Sequence, residues 1–512
     1  MNRGSAGRLA GRAPSLAVDV RGSLNVVGTL LTYLSASTSV PAGFAIGYGE
    51  SPWPFLAAGT IAGGFGAGIA FATRGEHRLG VREAFLVVSL TWLAAAALGA
   101  LPFLISGDPQ LDRPVDAFFE GMSGFSTTGG SVVVDVEALP HGLAMWRQLM
   151  QWLGGIGIIV LALAVLPRLR VGGRQLLEHE MPGPEIETLR TRIRDTARRV
   201  WILYVALTAL LFAILLAFGL SGVDEEMSAF HALAHALTTI PTAGFSTKVD
   251  SIEGFAAATQ WLILVFMVLG GINFALMFRG IVRRQPRAAV RDEELQLYLA
   301  LLAVGSIVVV AEIWTEDVLP AAEAIRVGLF TAVSTMTTTG FSVADYNTWP
   351  ALAMMTIVGL MFVGGSAGST TGSVKVVRHL LLGKILRREI DQTLHPELVL
   401  PVRLNRAVVE ERTLRAVSSF ILLYIGIFVV GAALLAVDAA RTGLPLTPFD
   451  AVAVSASMLS NVGPAFGIGG PLGSFEPFSD LSTILMIALM WLGRLEIIPI
   501  IVLLTRHYWR NV

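Results

Sequence analysis

Four short stretches of this chain pair a hydroxyl or carboxamide side chain with a glycine two residues on. They are Thr127, Thr128, Gly129 in FSTTGGS, Thr242, Ala243, Gly244 in PTAGFS, Thr338, Thr339, Gly340 in TTTGFS, and Asn461, Val462, Gly463 in SNVGPAFG. Roughly one helix downstream, each is followed by a second signature: WLGGIGI at 152–158, VLGGINF at 268–274, FVGGSAG at 362–368 and WLGRLEI at 491–497. A single Thr-x-Gly carries little information, and a glycine pair in an apolar helix commonly marks close helix contact. Four matched pairs in one order point to a pseudosymmetric assembly around one axis. The chemistry such residues suit is cation coordination. A ring of backbone carbonyls replaces an ion's hydration shell, and aiming successive carbonyls inward needs conformations that a Cβ hinders and glycine allows. Thr or Asn beside the glycine adds a side-chain oxygen, toward the ion or to hold the strand. No carboxylate stands at the matched positions, which argues against an acidic ring for divalent cations. A partly dehydrated monovalent cation is the expected guest.

The elements that must position these stretches are membrane helices. The 512 residues are 54% hydrophobic and only 15% charged, against about 25% charged in a typical soluble domain. With no cysteine, disulfide frameworks and Cys-ligated metal sites are excluded. Crossing a hydrocarbon core of ~30 Å takes roughly 20 helical residues, and ten apolar runs meet that length: 24–47, 53–73, 83–106, 143–167, 199–220, 257–281, 296–315, 350–376, 413–437 and 478–505. The four stretches end shorter segments of mixed polarity, VDAFFEGMSGFSTTGGS, MSAFHALAHALTTIPTAGFST, IRVGLFTAVSTMTTTGFS and FDAVAVSASMLSNVGPAFG. A half-helix running into a Gly-containing extended strand is the pattern of a re-entrant loop, which a membrane tolerates only where the backbone lines an aqueous path. The basic residues set the expected orientation. Arg168, Arg170, Arg174, Arg190, Arg192, Arg194, Arg198 and Arg199, then Arg279, Arg283, Arg284, Arg287 and Arg291, then Lys375, Arg378, Lys384, Arg387, Arg388, Arg403 and Arg406 mark cytoplasmic segments. Asp108, Asp224, Glu225, Glu226, Glu316 and Asp317 lie in the opposite loops. The four loops are thus expected to dip in from outside, with both termini cytoplasmic and the basic N-terminus a retained tail.

Two further features stand apart. Residues 364–373, GGSAGSTTGS, interrupt the second helix of the third repeat with small residues, where the matching helices are expected to continue more regularly. Such a break either lines a cavity or makes a packing kink. Arg494 takes the place of the second signature glycine midway along an apolar run, where a cation costs about 2.5–3.5 kcal/mol. It needs a carbonyl partner or a function, and Glu496, two residues on, points to another face of a helix. His231 and His235 share a helical face but lack the Glu of a zinc-protease motif, so hydrogen bonding is expected of them. No nucleophile–base constellation, P-loop or nucleotide fingerprint is present, so the chain is not expected to be an enzyme.

The set SGFSTTGGSV, HALTTIPTAGFST, STMTTTGFS and SNVGPAFG, with GGSAGSTTGSVKVVR and WLGRLEI, closely resembles the Trk/Ktr/HKT superfamily of potassium transporters over nearly the whole chain. Two helices preceding the first repeat make it similar to the TrkH branch. The resemblance implies an all-α integral membrane protein with two leading transmembrane helices and four parallel helix–pore-loop–helix repeats around a pseudo-fourfold single pore. The expected division is 1–75 for the tail and leading helices, then repeats at 76–180, 181–285, 286–395 and 396–512. It implies potassium as substrate without a covalent cofactor, bound by the twelve residues of the four stretches. Sodium-selective plant relatives carry serine at the first filter glycine, and Gly129 therefore favours potassium. The resemblance also implies an intramembrane gate drawing on Gly364, Gly365, Gly368, Ser369, Thr370, Thr371, Gly372, Lys375 and Arg494. Expected partners are a second copy of the chain, a TrkA-like cytoplasmic subunit with nucleotide-binding domains, and membrane lipid, with no nucleic acid; the expected location is the bacterial inner membrane. Uptake by conduction and symport with protons or sodium both fit the sequence, with an unrelated secondary transporter a more distant alternative. Two departures from the family pattern fall in the strands: Gly130 follows Gly129, and Pro241, which has no N–H, precedes Thr242. The second strand is therefore expected to be held differently from the other three.

Overall fold

The computed structural model describes residues 18–77, 79–164, 186–281, 284–397 and 399–509. Arg168, Arg170, Arg174 and Arg283 lie outside them. Apolar length dictates helices, and long ones dominate: α1 Val20–Ser35, α2 Ser39–Gly47, α3 Trp53–Ala72, α4 Val81–Ser106, α5 Pro114–Phe125, α6 His141–Ala164, α7 Ile186–Ser221 and α8 Ala229–Thr239. Then come α9 Ala257–Gly270, α10 Phe274–Ile281, α11 Pro286–Val290, α12 Glu293–Thr315, α13 Ala321–Met336, α14 Ala351–Met361 and α15 Val376–Leu394. The chain closes with α16 Glu411–Thr442, α17 Pro448–Ser460, α18 Asp480–Arg494, α19 Ile498–Leu504 and α20 Arg506–Trp509. Within the described residues the all-α pattern is broken by one small hairpin, β1 Arg403–Leu404 against β2 Ala407–Val408. Five helices, α3, α4, residues 197–221 of α7, α12 and α16, are each long and apolar enough to cross a membrane.

Four short helices, α5, α8, α13 and α17, organise the rest. Their starts follow from local chemistry: Pro114 and Pro448 open α5 and α17, the Ser228 hydroxyl accepts from His231 N at α8, and Thr447 and Asp450 cap each other reciprocally at α17. Each packs on the long helix before it, α5 on α4, α8 on α7, α13 on α12 and α17 on α16. The helix after each packs on the next short helix: α6 on α8, α9 on α13, α14 on α17, and α18 back on α5. The contacts therefore close a four-membered ring. Helices α1 and α3 pair with each other and lean on α4.

Behind the first short helix sits an ion pair. Arg147 Nε donates to Glu120 Oε1 at 2.6 Å and Nη2 to Ser131 Oγ at 3.0 Å, while the guanidinium lies 4.1 Å from the Phe245 ring centroid. Burying such a pair is offset by further hydrogen bonds to its polar atoms: Val132 N and the Ser131 hydroxyl both donate to Glu120, while Arg147 Nη1 is left without a hydrogen-bond partner.

Several expected spans are not single helices. The run 24–47 tightens into a 3-10 turn at Ala36–Thr38, where Ser35, Ser37, Thr38 and Ser39 all bond back to carbonyls of the preceding turn. The break at 350–376 is longer than the small-residue run, from Phe362 to Lys375 between α14 and α15. The matching helix of the first repeat, α6, does continue unbroken through its signature, whereas those of the second and fourth repeats bend sharply at short breaks. Helices α9 and α10 meet at 106° and α18 and α19 at 115°. Apolar composition hides both bends. At the first, Asn273 Oδ1 accepts from Ala275 N and Leu276 N, starting a new helix. The freed Gly270 and Gly271 carbonyls accept from Thr370 N and Ser366 N, and Phe274 N donates to Gly368 O. The broken helix and the irregular loop thus satisfy each other's backbone, as a low-dielectric setting requires.

Candidate functional site

All four short helices end in the same turn. At Thr127, Thr242, Thr338 and Asn461 the backbone enters the left-handed region, with φ of 54, 52, 55 and 56°. The next N–H reaches back across the turn: Thr128 N to Ser123 O at 2.9 Å, Ala243 N to Thr238 O at 3.0 Å, Thr339 N to Ser334 O at 2.8 Å, and Val462 N to Ser457 O at 3.0 Å. The left-handed residues themselves donate one turn back, to Gly124, Thr239, Thr335 and Met458 carbonyls. This paired pattern closes helices that end on a left-handed residue, usually glycine. Here Thr or Asn bears that conformation, at a cost of roughly 1–2 kcal/mol, and keeps a side-chain oxygen at the turn.

After a middle residue of negative φ, the glycines return to positive φ: 83° at Gly129, 83° at Gly244, 81° at Gly340 and 102° at Gly463. Each glycine then meets the middle residue's carbonyl from the next segment. A Cβ on Gly129 would stand under 3.0 Å from Ala243 O, one on Gly244 from Thr339 O, one on Gly340 from Val462 O, and one on Gly463 from Thr128 O. The sequence of contacts runs first to second to third to fourth and back to first. Four carbonyls and four glycines therefore form one closed ring, and the other four of the twelve residues named from the sequence, Thr127, Thr242, Thr338 and Asn461, form the turns that lead into it. Two oxygens at its turns have no hydrogen-bond partner, Thr127 Oγ1 and Asn461 Oδ1. Both are buried and can accept a cation.

The other two turn hydroxyls are taken by the 362–375 loop. Thr370 Oγ1 lies 3.1 Å from Thr242 Oγ1 and within reach of the Ile240 and Gly270 carbonyls, and Gly372 N donates to Thr338 Oγ1 at 2.7 Å. A Cβ on Gly372 would strike Ser460 O of the fourth segment. The loop is thus pressed against the ring on its Thr/Asn side. Within it, Ser369 Oγ donates to Ser366 O, Gly365 N donates to Thr371 Oγ1, and Gly364 and Gly368 supply φ of 66° and 76°.

Charged groups hold the loop from below. Arg494, 2% exposed, donates from Nη1 to Thr370 O at 3.1 Å, and its Nε and Nη2 have no partner. Lys375 Nζ donates to the Thr371 carbonyl and hydroxyl. Lys375 and Arg378, read from sequence as part of a basic cytoplasmic segment, with Lys375 also assigned to the gate, are both buried. Arg378 stacks on Phe420 and pairs with Glu496, which accounts for the carboxylate that does not meet Arg494. Sequence reasoning missed Glu294, whose Oε1 accepts from Ala367 N at 2.6 Å and Val377 N at 3.2 Å, fastening both flanks of the loop to α12. Its signal was a second carboxylate inside the first turn of an apolar helix. His231 and His235 hydrogen-bond to Thr247 Oγ1 and Ser246 Oγ.

Residues 54–510 match the TrkH family model, described as cation transport protein. The chain is 36% identical to the Trk system potassium uptake protein TrkH of Escherichia coli (strain K12) over 496 residues, 96% of this chain and 99% of that one. It belongs to the TrkH family. It is also 33% identical to the Trk system potassium uptake protein TrkG of the same organism, over 96% of this chain and 99% of the relative. Among solved structures, the crystal structure of the potassium transporter TrkH from Vibrio parahaemolyticus superposes with a TM-score of 0.85 at 32% identity, covering 96% of this chain and all of that one. The mostly helical membrane architecture is therefore that of the TrkH family.

Replacing Glu294 by Ala should leave the Ala367 and Val377 amides without acceptors, at about 1–3 kcal/mol for each buried group. Hydrogen–deuterium exchange across 364–376 is expected to speed up by roughly tenfold or more. Unchanged exchange in that segment would show that Glu294 does not fasten the loop.

Proposed function

We propose that this chain takes up potassium through a single pore, selecting the ion at the carbonyl ring and closing the path with the 362–375 loop and Arg494. The observation that carries this reading is the cyclic contact of each glycine with the next segment's middle carbonyl. Such a ring offers dehydrated cations evenly spaced, uncharged oxygens. None of the twelve residues titrates, so they offer no group to couple proton movement, and the reading is conduction down the electrochemical gradient. The family's potassium uptake proteins support the choice of ion.

The gate reading rests on contact and charge. The loop leaves no hydroxyl of Thr242 or Thr338 free to face the pore, and a guanidinium under the ring opposes a cation arriving there. By the distribution of basic residues, the four strands dip from the outside of a bacterial inner membrane and the loop lies toward the cytoplasm, where both termini sit. The proposed assembly is a homodimer regulated by a soluble nucleotide-binding subunit, for which the resemblance and the basic cytoplasmic segments speak.

Gly129→Ser tests the ring. Its side chain would collide with Ala243 O at a φ that non-glycine residues resist, and the potassium-over-sodium permeability ratio in proteoliposomes should fall about tenfold, or ~1.4 kcal/mol. An unchanged ratio would remove Gly129 from the selective element. Arg494→Ala tests the gate separately: potassium flux should rise about tenfold, the effect of ~1.4 kcal/mol off the barrier, with the ion preference kept. Flux equal to wild type in a properly folded variant would leave Arg494 a purely structural partner of Thr370.

A further inference from the structure

Three of the four ring segments are tied to their own short helix by a serine. Ser123 Oγ donates to Gly130 O at 2.5 Å, Ser334 Oγ to Phe341 O at 2.7 Å, and Ser457 Oγ to Gly463 O at 2.8 Å. The matching residue in the second segment is Thr238, and its hydroxyl turns back to the Ala234 and His235 carbonyls of its own helix. That segment therefore lacks the serine tether the others share, and Pro241 also lacks the N–H that Ser126 and Thr337 donate to Met122 O and Val333 O at the matching positions.

Something else replaces it. Gln151, fully buried on α6, donates from Nε2 to Ala243 O at 2.6 Å and accepts at Oε1 from Phe245 N at 3.0 Å. The amide orientation is dictated by its partners, because a carbonyl only accepts and a backbone N–H only donates. The side chain thus acts as one peptide unit of a neighbouring strand, gripping the segment on both sides of Gly244. Ala243 O is the ring carbonyl that faces Gly129. A carbonyl has two lone pairs, so one is fixed by Gln151 and the other is left for an ion.

The repeats themselves mark this residue as singular. Gly154, Gly270 and Gly493 are equivalent, since a Cβ on each would crowd the carbonyl two residues before the left-handed turn: Phe125 O, Ile240 O and Leu459 O. In the third signature the matching glycine by sequence is Gly364. Three residues before these glycines stand Gln151, Met267, Met361 and Met490, all fully buried. Three positions are apolar and one carries a carboxamide, and the carboxamide faces the one segment without a serine tether.

We infer that Gln151 is a positioning residue for ion selection, setting the Ala243 carbonyl of the ring in place of the missing serine tether. The inference rests on the ring being the potassium-selective element. Gln151 does not itself need to touch the ion. Its amide sets the distance and direction of one carbonyl in four, and the discrimination of potassium from sodium depends on all four being held alike.

The test is the potassium-over-sodium permeability ratio of the full-length protein in proteoliposomes for Gln151→Met, Thr238→Ser and the double variant, beside Gly129→Ser. Gln151→Met gives the second segment the residue found in the other repeats and should lower the ratio roughly five- to tenfold. Thr238→Ser in that background restores the serine tether, here toward Phe245 O, and should recover most of the loss. Should Gln151→Met fail to fold, Gln151→Asn serves: it keeps a carboxamide but, one methylene shorter, cannot hold Ala243 O and Phe245 N together as Gln151 does, and should lower the ratio as well. A wild-type ratio in the folded Gln151 variant, with Gly129→Ser still impaired, would overturn the inference and leave the ring reading intact. A loss that Thr238→Ser does not repair would also overturn it, because tethering would not be what Gln151 provides. Normal ratios in both the Gln151 and Gly129 variants would instead remove the ring.

Discussion

Unpaired backbone is the constraint on which this structure turns. In a membrane, a carbonyl without a partner must face protein or water, yet the four segments after α5, α8, α13 and α17 direct their middle carbonyls at one another's glycines, that of Ala243 with Gln151 Nε2 as a further partner. No single segment could be stable like this. Four together enclose a common axis, and the left-handed turn at Thr127, Thr242, Thr338 and Asn461 feeds each strand into the ring in the same way. The glycines are required by steric fact: any Cβ there would occupy the place of the neighbouring carbonyl. The long helices, the ion pair of Arg147 with Glu120 and the bends of the later helices serve to hold that ring.

The same constraint accounts for the loop. Residues 362–375 interrupt a helix and expose backbone groups that need partners, and the bend between α9 and α10 exposes complementary ones. The two breaks are one interlocked structure. Glu294, Lys375 and Arg494 secure it with charge-assisted hydrogen bonds, which are roughly twice as strong as neutral ones. If the loop acts as the proposed gate, moving it means exchanging these partners together, so its opening is expected to be all-or-none rather than graded.

Much of this was legible in the chain. The Thr/Asn-x-Gly stretches and their downstream glycines recur four times, and repetition raised a weak motif to a strong one. Arg494 was legible because a lone cation in an apolar run needs a reason. The bends at Gly271–Asn273 and Leu495–Ile497 were not, since VLGGINFALM and WLGRLEIIPI read as continuous apolar helix, and the partners that compensate the first break, at Ser366, Gly368 and Thr370, are far away in the sequence. Arg378 and Glu496 were hidden for the same reason: a basic residue near a helix end is ordinarily solvated, and their pairing is a fact of tertiary structure. Pro241 did foretell that the second strand is held in its own way, but the sequence alone could not name Gln151 as what holds it.

The most direct measurement of the central claim is the position of the ion. Crystals of the full-length protein grown with rubidium in place of potassium should give an anomalous scattering peak on the axis enclosed by the carbonyl oxygens of Thr128, Ala243, Thr339 and Val462. No peak there at saturating rubidium, or a peak elsewhere in the protein instead, would contradict the reading of these four segments as the ion-selective ring.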